Sequence, residues 1–205
     1  MQFHRTVLAA GLISVFSAFS VFLTSTSVAF AQGSPEPAIQ RNINQQQRIE
    51  TGLRDGSLTT REAARLERGQ VNVERMESRA LSDGNVSATE QARIKAAQDR
   101  QSAAITRERH DAQVGNPNSA SSQRMQADVQ RNINQQARIQ SGVQSGNLTH
   151  REAGALERGQ ARISRAEARA GVDGALGRRD QTRIQRMENN QSAKIAEQKH
   201  DAQKR

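Results

Sequence analysis

From Ala38 onward, aliphatic residues recur three or four positions apart with polar residues between them. That is the spacing of one buried face on an α-helix. A first stripe holds Ile39, Ile43, Ile49 and Leu53, and it runs out between Gly52 and Gly56. A second holds Ala63, Leu66, Val73, Met76 and Ala80, and a third holds Ile94, Ala97, Ala104, Ile105 and Ala112. Three helices are predicted. Their stripes are narrower than an ordinary globular helix presents, which suits a small three-helix bundle or coiled-coil-like packing.

The same layout returns ninety positions later. The stripes become Val129, Ile133, Ile139 and Val143; then Leu156, Ile163, Ala166 and Ala170; then Ile184, Met187, Ile195 and Ala202. RNINQQ at 41 falls on RNINQQ at 131, LERGQ at 66 on LERGQ at 156, and HDAQ at 110 on HDAQ at 200. Without a gap, 38 of 77 aligned positions are identical. Two copies are too few for a solenoid. The expected architecture is therefore all-α: two tandem three-helix bundles, each written helix–DG turn–helix–DG turn–helix. Residues 32–37 and 116–122 are linkers, residues 38–115 the first unit and residues 123–205 the second. Gly69 and Gly159 lie inside the middle helices, where each costs up to about 1 kcal/mol relative to Ala. Close approach of a neighbouring helix would compensate.

The first thirty-one residues differ from the rest. Arg5 is followed by an apolar run from Val7 to Leu23 and by the small-x-small end Ala29-Phe30-Ala31. This is the form of a secretory signal cleaved after Ala31, with an uncleaved membrane anchor as the alternative. A periplasmic or secreted location follows. All five Phe lie in this segment, and the chain has no Trp, Tyr or Cys. Disulfides, thiolate metal sites, cysteine nucleophiles and a lipoprotein anchor are thereby excluded. After cleavage 29 basic residues stand against 21 acidic ones, a net charge of +8. Residues 38–114 carry 13 and 11, and residues 124–205 carry 16 and 9. A basic exported protein is drawn to anionic surfaces. For the first unit a solvated face of mixed i,i+4 pairs is the simpler reading.

The turns carry the most specific local chemistry. Gly56, Leu58 and Glu62 stand where an EF-hand calcium loop has its sixth, eighth and twelfth residues. Gly84, Val86 and Glu90 do the same, as do Gly146, Leu148 and Glu152. These turns resemble the second half of an EF-hand loop, and are similar to the helix–DG–helix turns of bacterial envelope and tellurite-resistance-type helical domains. The resemblance covers about a dozen residues per loop and implies a Ca²⁺ site on Asp55 with Glu62, or on Asp83 with Asn85, Ser87 and Glu90. The first loop position would be Thr51, Arg79, Ser141 or Arg169, and the third Leu53, Leu81, Val143 or Gly171. None of these supplies a carboxylate, so affinity would be millimolar at best.

Helix capping accounts for the same residues. Gly56 and Gly84 suit the left-handed position that ends a helix. Thr59…Glu62, Ser87…Glu90 and Thr149…Glu152 read as S/T-x-x-E capping boxes, with Leu58, Val86, Leu148 and Leu176 in the staple position. His110 and His200, each followed by Asp, would hold a transition metal only if two units brought them together. Otherwise they complement a helix C-terminus. His150 aligns with Thr60 and is assigned no role. Glu67 and Glu157 recur beside Arg68 and Arg158, which suggests surface pairing.

No phosphate loop, nucleophile elbow or HExxH is present, so no enzyme is expected and a hydrolase least of all. The expected function is an exported, non-enzymatic binding or structural protein with an Arg-rich surface for an anionic envelope component or acidic protein. The alternative is a weak Ca²⁺ binder using the DG turns. No other cofactor is implied. Nucleic acid is disfavoured because stacking platforms need aromatic residues. Membrane contact is expected only through the signal segment before cleavage, and homo-oligomerisation is left open.

Overall fold

The computed structural model describes residues 34–201. The segment read above as a secretory signal, its expected cleavage site after Ala31, and Ala202 lie outside the described residues. The chain is all-α, with six helices among the described residues: α1 Glu36–Asp55, α2 Thr60–Ala80, α3 Ala88–Arg109, α4 Ala120–Gln144, α5 His150–Ala170 and α6 Arg178–His200. Among the described residues no helix is long and apolar enough to cross a membrane.

Local sequence sets the helix ends. Gly56 and Gly84 take φ of +80° and +90°, a region only glycine enters cheaply, and so stop or turn the chain after α1 and α2. All three capping boxes form. Thr59, Ser87 and Thr149 accept the backbone N–H of Glu62, Glu90 and Glu152, whose carboxylates accept the cap residue's N–H in return. Leu58, Val86 and Leu148 are buried just before these caps, and Leu176 is buried before Gly177, at which α6 begins without a side-chain cap.

Each repeat is a three-helix unit, and among the described residues the two units pack on each other to form one compact body. The most extensive packing in the molecule is between repeats, α2 on α5 and α1 on α4. Both pairs are antiparallel. Ala64 near the start of α2 meets Gly171 just after α5, while Leu81 just after α2 meets Gly154 near the start of α5. Gln140 of α4 donates to Gln40 near the start of α1 at 2.9 Å. Reciprocal contacts mark an approximate two-fold relation. Arg61 donates to the Asp173 carbonyl at 2.9 Å, and its equivalent Arg151 to the Asp83 carbonyl at 3.2 Å. The second DG turn of each repeat is thus gripped by the other repeat. His150 adds a contact of 2.8 Å to the Gly84 carbonyl.

The core follows the apolar stripes, but nearly half of it is polar: among the described residues thirty buried hydrophobic residues stand beside twenty-five buried polar ones. Gln side chains supply much of the join. Gln45 reaches the Gln98 carbonyl and the Ser102 hydroxyl, and Gln135 reaches the Glu188 carbonyl and Ser192. With so few aliphatic residues, these bonds between helices do part of what hydrophobic area does elsewhere.

Candidate functional site: an arginine cleft backed by buried carboxyls

The middle helix α2 carries four acids and five arginines and α5 carries three and five, and the fold separates the two signs. Glu67, Glu74 and Glu77 point inward from α2, and Glu157 and Glu167 from α5, none more than 3 % exposed. Asp128 on α4 and Glu188 on α6 join them at 0 %. The expected surface pairing of Glu67 with Arg68, and of Glu157 with Arg158, does not occur. In the sequence Leu-Glu-Arg-Gly-Gln, Leu and Glu face the core while Arg faces solvent, because neighbouring helical positions are about 100° apart.

Amide side chains receive the buried carboxyls. Asn42 donates to Glu77 at 2.6 Å and Asn132 to Glu167 at 2.9 Å. Gln46 donates to Glu67 at 3.2 Å and Gln136 to Glu157 at 3.0 Å. Across the repeat boundary Ser164 donates to Glu74 at 3.1 Å. Burial, opposed by these amide bonds, pushes Glu67 and Glu157 up to about 7. Burial and then repulsion from neighbouring carboxylates hold Glu74, Glu77 and Glu167 well above the usual range. Burial also raises Asp128, to about 8, and Glu188, to about 7, with Arg131 working against it in both. Throughout this cluster burial favours the neutral carboxyl over the carboxylate.

The arginines are left outside without their acids. Between α2 and α5 lies a cleft of about 390 Å³ walled by Arg75, Arg79, Arg158, Arg162 and Arg165, with Ser78, Ala161 and Ser82 completing it. It contains no acidic residue. Among the described residues, none of these five guanidinium groups forms an ion pair. Two neighbouring clefts share its walls. One, of about 430 Å³ between α5 and α6, adds Arg169 and Arg183 with Asp173 and Asp180. The other, of about 520 Å³ between α2 and α3, adds Arg100. The result is a band of guanidinium groups with contributions from both repeats. Each presents planar, bidentate donors suited to phosphate, sulfate or carboxylate.

The residues singled out from sequence are distributed elsewhere. At the first DG turn, Asp55 accepts the Ser57 N–H at 2.9 Å and pairs with Arg109 at 2.8 Å. Glu62 caps α2 through the Thr59 N–H at 2.8 Å. At the other turn, Asp83 accepts the Asn85 N–H at 2.9 Å, while Ser87 and Glu90 bond each other. His110 and His200 are exposed, each with Nδ1 against the carbonyl four residues back, Thr106 or Ala196, at 2.7 Å. The one group of three or more potential metal-ligating side chains among the described residues is Glu62, Glu108 and Asp111. Sequence reasoning missed the cleft because charge sums do not reveal which charges turn inward.

No protein-family model, curated protein or solved structure matches the chain.

Proposed function

We propose that this is an exported, non-enzymatic helical protein that holds an anionic partner in the arginine band on α2 and α5. The observation carrying this reading is the cleft itself: five guanidinium groups that, among the described residues, share it with no acid and form no ion pair. Unpaired arginines crowded together repel one another, and that repulsion is relieved when an anion enters. The buried carboxyls of α2 and α5 face away from the cleft, and burial favours their neutral form, so they oppose its positive field less than exposed carboxylates would. An envelope polyanion or an acidic protein surface has the matching charge. The DG turns as weak Ca²⁺ sites remain the alternative, although Asp55, Asp83, Ser87 and Glu90 already accept or share hydrogen bonds within the protein.

The test is binding of the purified chain to phosphatidylglycerol vesicles and to lipopolysaccharide at low and at physiological salt. Replacing Arg162 and Arg165 together by Gln is expected to weaken binding about tenfold or more. Replacing the exposed Arg93 and Arg107 of α3 removes the same charge and should cost about twofold or less. Salt should weaken the unmodified protein more than the cleft variant. Equal losses from the two double variants would make the cleft irrelevant.

A further inference from the structure

We propose that Glu62, Glu108 and Asp111 form a binding site for one hard divalent cation, at the junction of the start of α2 with the end of α3. One carboxylate oxygen from each residue lies within 4.8 Å of the other two. Three oxygens held by one Ca²⁺ at about 2.3–2.6 Å lie no further apart than about 5 Å. The site does not use the second DG turn, and of the residues in the EF-hand resemblance only Glu62 belongs to it.

An independent observation points to a ligand. Glu62 is wholly buried. Its Oε2 accepts the Thr59 N–H, while its Oε1 is sealed from solvent and accepts no hydrogen bond. An ionised oxygen in that position lacks what water or a donor would supply, and a cation would supply it. Nearby bases do not fill the role. Arg109 is committed to Asp55 and Ser57, and Arg65 approaches only Glu108, at 3.8 Å. Glu108 and Asp111 also stand at the C-terminal end of α3, where the helix dipole disfavours negative charge unless a cation is close. Asp111 receives the Gln113 N–H at 2.9 Å and its side-chain amide at 3.3 Å, which orients the carboxylate and leaves lone pairs for coordination.

The second repeat supplies an internal comparison. Glu152 there likewise has a buried Oε1 without a partner, and Asp201 matches Asp111, but Gln198 stands in place of Glu108. With one charge fewer, that position should bind a divalent ion more weakly.

Calorimetric titration of the chelator-treated full chain with CaCl₂, and separately with MgCl₂ and MnCl₂, tests the site. One equivalent per chain is expected. Glu108→Gln reproduces the arrangement of the second repeat, spares the capping carboxylate, and should weaken binding at least tenfold. Gln198→Glu should add a second equivalent. Absence of heat up to about 10 mM metal, tenfold above the weakest extracellular calcium modules, would overturn the proposal. So would binding untouched by Glu108→Gln, or binding removed instead by Asp83→Asn with Glu90→Gln, which would put the ion in the DG turn.

Discussion

A single missing side chain at Gly69 shows how the polar core is built. Gln101 of α3 crosses the surface of α2 and donates to the Leu66 carbonyl at 2.9 Å. A Cβ on Gly69 would lie 1.8 Å from Gln101 Oε1. Gly159 has the same relation to Gln191, which donates to the Leu156 carbonyl at 2.8 Å. Alanine is the better helix former by about 1 kcal/mol, so an exposed glycine would gain from replacement. Here Gly69→Ala should destabilise by about 1–3 kcal/mol in urea unfolding, through overpacking and the displaced Gln101 bond. Adding Gln101→Ala should recover part of the loss. A more stable single variant would mean that the close approach carries no energy. Gly69 could be read from sequence as a costly residue awaiting a reason. The reason could not, because it is a glutamine thirty-two positions away.

At the level of the helix, α2 and α5 carry the pH response. Their inward carboxyls have folded pKa values above the ordinary carboxylate value, so the folded chain binds more protons than the unfolded one. Stability therefore falls as pH rises, from about 4.5 through about 7 for Glu67 and Glu157. The contribution is fully present below that window and lost above it, opposite to the behaviour of a salt-bridged carboxylate. Asp128, Glu188, Glu74, Glu77 and Glu167 act in the same direction, with Arg131 as the opposing charge beside Asp128 and Glu188. Each pK unit corresponds to about 1.4 kcal/mol. The melting temperature followed by circular dichroism should be higher at pH 5 than at pH 8. Glu67→Gln with Glu157→Gln should flatten that slope. A slope of the usual sign would show that these groups ionise freely in the folded state. The helices themselves were legible because Ile, Leu and Val are rarely placed to face water throughout. Glu67 and Glu157 were misread as surface residues because a carboxylate beside an arginine normally is one. A usable signal lay in the duplication: Asn42, Gln45, Gln46, Glu67, Gln70, Glu77 and Gln101 all recur unchanged ninety positions on, and all are buried. Exposed Arg65 and Asn72 become Ala155 and Arg162.

For the molecule as a whole, the two repeats are related like the subunits of a two-fold dimer, yet they have diverged where they touch. Leu81 lies over Gly154, where a Cβ would approach the Leu81 Cβ to 2.8 Å. At the equivalent place Gly171 accommodates Ala64 and Met125, each 2.8 Å from the position of a Cβ. If the first repeat paired with itself, Leu81 would meet Ala64 instead of a glycine, and the contact would be overpacked. If the second paired with itself, Gly171 would face Gly154 and leave a void. Each copy therefore fits the other better than it fits itself. Residues 32–118 and 119–205, prepared separately, should associate one-to-one on mixing, with self-association at least tenfold weaker, as read by light scattering after gel filtration. Within the intact chain, Gly154→Ala should cost about 1–3 kcal/mol, and Leu81→Ala should reduce that cost in a double-mutant cycle. Self-association of either half as tight as the mixed pair would mean that the glycine exchange does not set the pairing. The consequence reaches the arginine band, since Arg75 and Arg79 come from one repeat and Arg158, Arg162 and Arg165 from the other. Comparing anion binding by isolated halves would not measure the cleft, because neither half has both of its walls.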